Sequence, residues 1–163
     1  MMLSFGEAVR QFYGNYTNPE GRAQRSAFWW AQLYQTILVV VLGIVILMAD
    51  GGPAFFEGLT EIITLEDFTK KWAALGPSGK AAGYCIMAFS FVNFLPGIML
   101  SIRRFHDLDR SGWWVFGFFL AGNLPVIGIL ASLGNFIWFM IQGTEGSNTY
   151  GQDPLASNSD MFD

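Results

Sequence analysis

Ala27 to Ala49 reads AFWWAQLYQTILVVVLGIVILMA, and the character of this stretch decides the fold. It carries no charged residue and is long enough to cover ~30 Å of hydrocarbon at 1.5 Å of helical rise per residue. Trp29, Trp30 and Tyr34 crowd its beginning, as amphipathic rings do at a headgroup boundary, and Asp50-Gly51-Gly52-Pro53 stops it. The reading is a first membrane span.

Further along the chain, Ala81 to Ile102 reads AAGYCIMAFSFVNFLPGIMLSI, again without charge, with Arg103 and Arg104 directly after it. This is a second span, and Pro96-Gly97 inside it predicts a kink. A third apolar block runs from Gly112 to Gly143 and is interrupted by Asn123-Leu124-Pro125. Its first piece is too short to cross a bilayer alone, so length favours one crossing broken at Pro125 over a re-entrant hairpin. The fold class expected is an all-α integral membrane protein with three or four membrane helices.

Composition agrees with this reading. Hydrophobic residues make up 52% of the chain and charged residues 13%, against roughly 25% charged in ordinary soluble domains. The 163 residues suit one membrane unit. A formal net charge of -4 and scattered basic residues argue against nucleic acid, which needs clustered Lys and Arg to displace counterions. Cys85, the single cysteine, excludes an internal disulfide and is expected to pack as a small hydrophobe. Met1 to Ser26 lacks the pattern of a cleavable signal peptide, so the first apolar block is expected to stay in the mature protein.

Two stretches outside the blocks have amphipathic helical patterns. Ser4 with Glu7 forms a capping-box pattern ahead of Phe5, Val9, Phe12 and Tyr16 on one face. Thr64 and Asp67 mark another helix start, with Leu65, Phe68, Trp72 and Leu75 as its stripe and Gly76-Pro77 as its end. Either helix can lie on the membrane surface or dock on the bundle.

Orientation follows from the basic residues beside the spans. Arg10, Arg22 and Arg25 precede the first and Arg103, Arg104 and Arg110 follow the second, while the intervening loop holds only Lys70, Lys71 and Lys80. The excess puts the N-terminus and the Arg103 to Ser111 loop in the cytoplasm. The expected organisation is an amphipathic N-terminal segment over 1–26, a helix bundle over 27–142 with an extracytoplasmic loop at 50–80, and a polar acidic tail over 143–163.

The densest polar chemistry is Arg103-Arg104-Phe105-His106-Asp107-Leu108-Asp109-Arg110-Ser111, followed by Gly112-Trp113-Trp114. If the second helix continues here, Arg103, His106 and Arg110 share a face and Arg104 meets Asp107 at i,i+3. At the start of the first span, Arg22, Arg25 and Trp29 fall at helical spacing on one face. Both groups stand at the same membrane boundary.

Taken in order, Gly21-Arg22-x-x-Arg25-x-x-Phe28-Trp29, Arg103-Arg104-x-His106-Asp107-x-x-x-Ser111-Gly112-Trp113-Trp114, Pro125-x-x-Gly128 and Gly143-Thr144-x-Gly146-x-Asn148-x-Tyr150-Gly151-x-Asp153-Pro154 are four motifs spanning roughly Phe12 to Leu155. The pattern resembles the domain of unknown function 805 family, the YhaH-like bacterial inner-membrane proteins. The resemblance implies a location and an architecture. It implies no reaction.

Two readings of the charged cluster stand side by side. Arg22, Arg25, Trp29, Arg103, Arg104, His106, Asp107, Arg110 and Trp113 could form a site for anionic lipid headgroups, since guanidinium forks bind phosphate bidentately and Trp rings anchor at the interface. Alternatively Asp107, held by Arg22, Arg25 or Arg104, locks the first two spans together, because charges at membrane boundaries usually find one another. No catalytic, metal or cofactor site is expected: the one His lies next to an Asp in sequence without a nucleophile motif, and one His with one Cys cannot build a structural zinc site. The expected partners are membrane lipids, a partner membrane protein or further copies of the chain. A rival reading, a subunit of an oligomeric transporter or channel, rests on Asn93, Asn123 and Asn135 within the apolar blocks, where polar residues either join helices or line a path.

Overall fold

A computed structural model of the chain describes residues 3–57 and 64–156. Met1, Met2, the loop residues 58–63 and the last part of the acidic tail, 157–163, lie outside them. The described residues form helices α1 (Phe5–Gly14), α2 (Arg25–Met48), α3 (Gly52–Glu57), α4 (Leu65–Ala74), α5 (Pro77–Asp107), α6 (Trp114–Gly122) and α7 (Pro125–Met140). An isolated antiparallel bridge joins Asn148 and Gly151. The protein is an all-α membrane protein.

The 24 residues of α2 and the 31 of α5 make both long and apolar enough to cross a membrane. Most of their large apolar side chains, Val40, Ile44, Phe91 and Phe94 among them, are exposed, which is stable only where the surroundings are as apolar as the side chains. Cys85 also lies on the exposed surface of α5 rather than packed inside. Pro96 lies within α5, and the helix continues through it to Asp107.

The third block differs from the single broken crossing that its length favours. Its pieces α6 and α7 fold back on each other, so that Trp114 at the start of α6 lies 5.1 Å from Trp138 near the end of α7, and Phe118 lies 5.6 Å from the same ring. Gly128 makes the tight return possible: a Cβ there would stand 2.6 Å from the Gly122 carbonyl oxygen. Pro125 opens α7 at a position where its missing N–H costs nothing. The nine residues of α6 span only about 14 Å. Helix length set against bilayer thickness carries no sign of this close backbone contact.

The chain divides into two compact units, Met1–Leu33 with Phe94–Asp163, and Tyr34–Asn93. In the first, Phe12, Ala23, Ala31 and Leu100 form a buried cluster with Tyr13 and Phe28 against it. Phe12 and Ala8 are the buried positions of α1, whereas Phe5 is exposed and meets Trp30 edge-on at 5.9 Å. The Ser4–Glu7 capping box forms, and the bonds from the Ser4 hydroxyl and backbone N–H hold the Glu7 carboxyl below its ordinary pKa.

In the second unit, Ile46, Phe55, Leu75 and Ala82 form a cluster with Trp72 packed on it. Trp72 lies so close to α5 that a Cβ on Gly83 would stand 2.3 Å from the indole ring. The α4 stripe is therefore docked in its second half, at Trp72 and Leu75, while Leu65 and Phe68 stay exposed. Thr64 caps this helix, and its bonds lower the pKa of Asp67 in the same way.

Candidate functional site

The helix α5 ends by a definite device. Asp109 adopts a left-handed φ of 53°, the Arg110 N–H reaches back to the Phe105 carbonyl at 2.9 Å, and the Asp109 N–H bonds the His106 carbonyl at 3.0 Å. This is the Schellman pattern, with Asp in the place that Gly more often fills. It terminates the helix before Arg110. The face that a continuing helix would give Arg103, His106 and Arg110 therefore does not form, and Arg110 is exposed in the turn beyond.

Asp107 is the last residue of α5, where the helix dipole disfavours a negative charge, and it is only 3% exposed. Two guanidiniums compensate. Arg22, from the link before α2, places Nε and NH2 each 3.0 Å from Asp107 Oδ1, and Arg104 donates NH1 to Oδ2 from one turn earlier. The side chains of Arg22 and Arg104 are 1% and 0% exposed, so neither end of this triad is screened by water.

Other donors of the two arginines go to backbone carbonyls at and beyond the end of α7, while Arg104 Nε is buried without a hydrogen-bond partner among the described residues. Arg22 donates NH1 to Gly146 O at 2.6 Å and NH2 to Thr144 O. Arg104 donates NH2 to Phe139 O at 3.2 Å and to Ile141 O, satisfying carbonyls that the end of α7 leaves without helical partners. In return, the last carbonyls of α5 take donors from the same segment: Thr144 N bonds Asp107 O at 2.9 Å and Asn148 Nδ2 adds a second bond to His106 O at 2.8 Å. Gly143 is confined by the carboxylate itself, because a Cβ would stand 2.2 Å from Asp107 Oδ2.

His106 closes the arrangement. Its Nδ1 lies 3.2 Å from Gly21 O, and since a carbonyl only accepts, Nδ1 carries the proton of that bond. The ring stacks on Tyr150 at 3.9 Å with 5° between the planes. Asn148 Oδ1 accepts from Tyr150 N at 2.9 Å, and Asp153 accepts from Gly146 N and Leu155 N at 3.1 and 2.8 Å. Residues 143–155 are thus a folded clasp on the end of α5. Only Gly and Asn spacing in the fourth motif hints at this, because the contacts are mostly to backbone carbonyls, which every residue has.

Not all residues singled out by sequence meet here. Arg22, Arg104, His106 and Asp107 come together. Arg25 opens α2, is exposed, and donates NH1 to Met140 O at 3.3 Å. Trp29 packs edge-on against Phe28 and Phe136, at 5.3 and 5.1 Å. Arg103 is buried elsewhere; its carbonyl accepts from Ala23 N at 3.0 Å, while its Nε and NH2 find no hydrogen-bond partner among the described residues. Trp113 is exposed. Because Arg22 precedes α2, it does not share a helical face with Arg25 and Trp29.

The residues that build this arrangement fall almost entirely within one family match. Residues 16–152 match the family described as protein of unknown function (DUF805). The chain belongs to this family. The inner membrane protein YhaI of Escherichia coli strain K12 is 31% identical over 140 residues, covering 86% of this chain and 88% of the relative. The inner membrane protein YhaH of the same strain is 31% identical over 141 residues, with 86% and 89% covered. No solved structure matches the chain. The DUF805 match takes in Arg22, Asp107 and the clasp through Gly151, so the ion triad and the segment it holds lie within the family region.

Proposed function

We propose that this DUF805 member is a non-enzymatic protein of the bacterial inner membrane, with its N-terminus in the cytoplasm, whose Arg22–Asp107–Arg104 triad organises the cytoplasmic end of the bundle. The observation that carries the reading is where the hydrogen bonds of Arg22 and Arg104 go: to one buried carboxylate and to the carbonyls of Phe139, Ile141, Thr144 and Gly146. A site built for acid–base work keeps a group facing its substrate. Here both Asp107 oxygens are held by arginines, and His106 is bonded to Gly21 and covered by Tyr150.

The basic excess of Arg10, Arg22, Arg25, Arg103, Arg104 and Arg110 over the three loop lysines supports the cytoplasmic assignment. Two crossings by α2 and α5 with a hairpin of α6 and α7 return the clasp to the side of the first motif. Limited proteolysis tests the organising role. With Asp107→Asn the clasp at 143–156 becomes a cleavage site while it resists in the parent protein; an unchanged cleavage pattern would reject the role.

A further inference from the structure

Beside the triad, the first turns of α2 and the end of α7 border a groove of about 540 Å³, within the roughly 300–1,000 Å³ of ligand sites. From the residue before α2 into its first turns the lining changes from polar at Gln24 and Arg25 to apolar at Trp29, Trp30 and Leu33, with Met140 of α7 and Leu155 completing it. Gln24 is only 6% exposed, yet its Oε1 has no hydrogen-bond partner among the described residues. A buried acceptor without a donor is costly, so it calls for one. Arg25 is exposed, and its guanidinium donates to Met140 O at 3.3 Å. Among the described residues that line the groove there is no carboxylate.

We propose that the groove binds an anionic glycerophospholipid with hydroxyl groups in its headgroup, the phosphate on Arg25, a headgroup hydroxyl donating to Gln24 Oε1, and one acyl chain along Trp29, Trp30 and Leu33. Each feature selects part of the ligand. The guanidinium selects an anion, the orphan acceptor selects a neutral donor, and the apolar wall selects a chain over a soluble phosphate. An ethanolamine headgroup fits less well, because its ammonium would stand beside the Arg25 guanidinium, with no carboxylate among the described lining residues to receive it. This assignment rests on the reading that the start of α2 stands at a membrane boundary. It does not depend on the triad's organising role.

Native mass spectrometry of the full chain in detergent tests it, with phosphatidylglycerol, phosphatidylethanolamine or glycerol 3-phosphate added at equal concentration. One phosphatidylglycerol is retained, about tenfold more than phosphatidylethanolamine, and glycerol 3-phosphate is not. Arg25→Gln lowers phosphatidylglycerol retention about tenfold, and Gln24→Leu brings the two lipids toward parity, since each removes one polar contact. Equal retention of both lipids by the parent protein, or retention of glycerol 3-phosphate as strong as the lipid's, overturns the proposal whatever the variants do. So does full retention in Arg25→Gln. The unfolding temperatures of parent and variants, measured alongside, separate a failed groove from a failed triad: lost selectivity with an intact transition leaves the organising role standing.

Discussion

Asp107 Oδ1 accepts from Nε of Arg22 at 3.0 Å, across 85 residues of sequence, and the same carboxylate leaves no room for a methyl group on Gly143. One buried side chain therefore fixes the link before α2, the end of α5 and the chain beyond α7 against each other. The two arginines also compensate its unfavourable place at a helix C-terminus. The consequences can be separated experimentally.

Gly143→Ala drives a Cβ to within 2.2 Å of Asp107 Oδ2, with Cγ at 2.5 Å and Oδ1 at 2.7 Å. The carboxylate is held on both sides and cannot yield without loosening an arginine. Destabilisation of about 1–3 kcal/mol is expected from overpacking. Chemical denaturation in detergent measures it. Gly146→Ala is a useful contrast, because its cost arises from a φ of 71° with nothing within 4 Å of the added atom.

The hairpin of α6 and α7 places the clasp at the end of α5, where Arg22 of the first motif bonds both Asp107 and Gly146 O. A reporter fused after Asp163 is therefore expected to show the same cytoplasmic location as one fused ahead of Met1. Opposite locations would restore a single crossing by the third block.

Acid acts on α1 through its cap. The Ser4 bonds lower the folded-state pKa of Glu7, so the cap's contribution is fully present above the unfolded-state value and fades as pH falls through the lower folded one. It is complete at neutral pH. In a side-chain carbon NMR titration, Glu7 is expected to have its midpoint below the usual glutamate range and to return toward that range in Ser4→Ala. A parent midpoint at or above the ordinary value would contradict the cap.

Much of the architecture is legible in the residues. Charge-free length gives α2 and the apolar body of α5, and the Ser4/Glu7 and Thr64/Asp67 spacings give two helix starts, because these signals are local. The α6–α7 hairpin is not legible by length, since Gly128 acts through contact with the Gly122 carbonyl rather than through any local propensity. The clasp is hidden for a related reason: Arg22 and Arg104 bind the carbonyls of residues 139–146, and carbonyls leave no mark in a sequence. Nor does spacing reveal that Asp109 ends α5 and releases Arg110 from its face.

A double-mutant cycle between Arg22 and Asp107 tests the central claim most directly. Removing one partner of a buried pair strands the other's charge, so Asp107→Ala is expected to destabilise the protein by about 3–5 kcal/mol. Arg22→Ala should cost a comparable amount, and the double variant much less than the sum. The predicted coupling is at least about 1 kcal/mol, within the range found for residues sharing one ion-pair network. The same cycle with Arg25, whose guanidinium bonds Met140 O rather than the carboxylate, should give coupling close to zero. Additive losses for Arg22 and Asp107, measured by denaturant unfolding in the same detergent, would contradict the triad as the device that holds this end of the protein together.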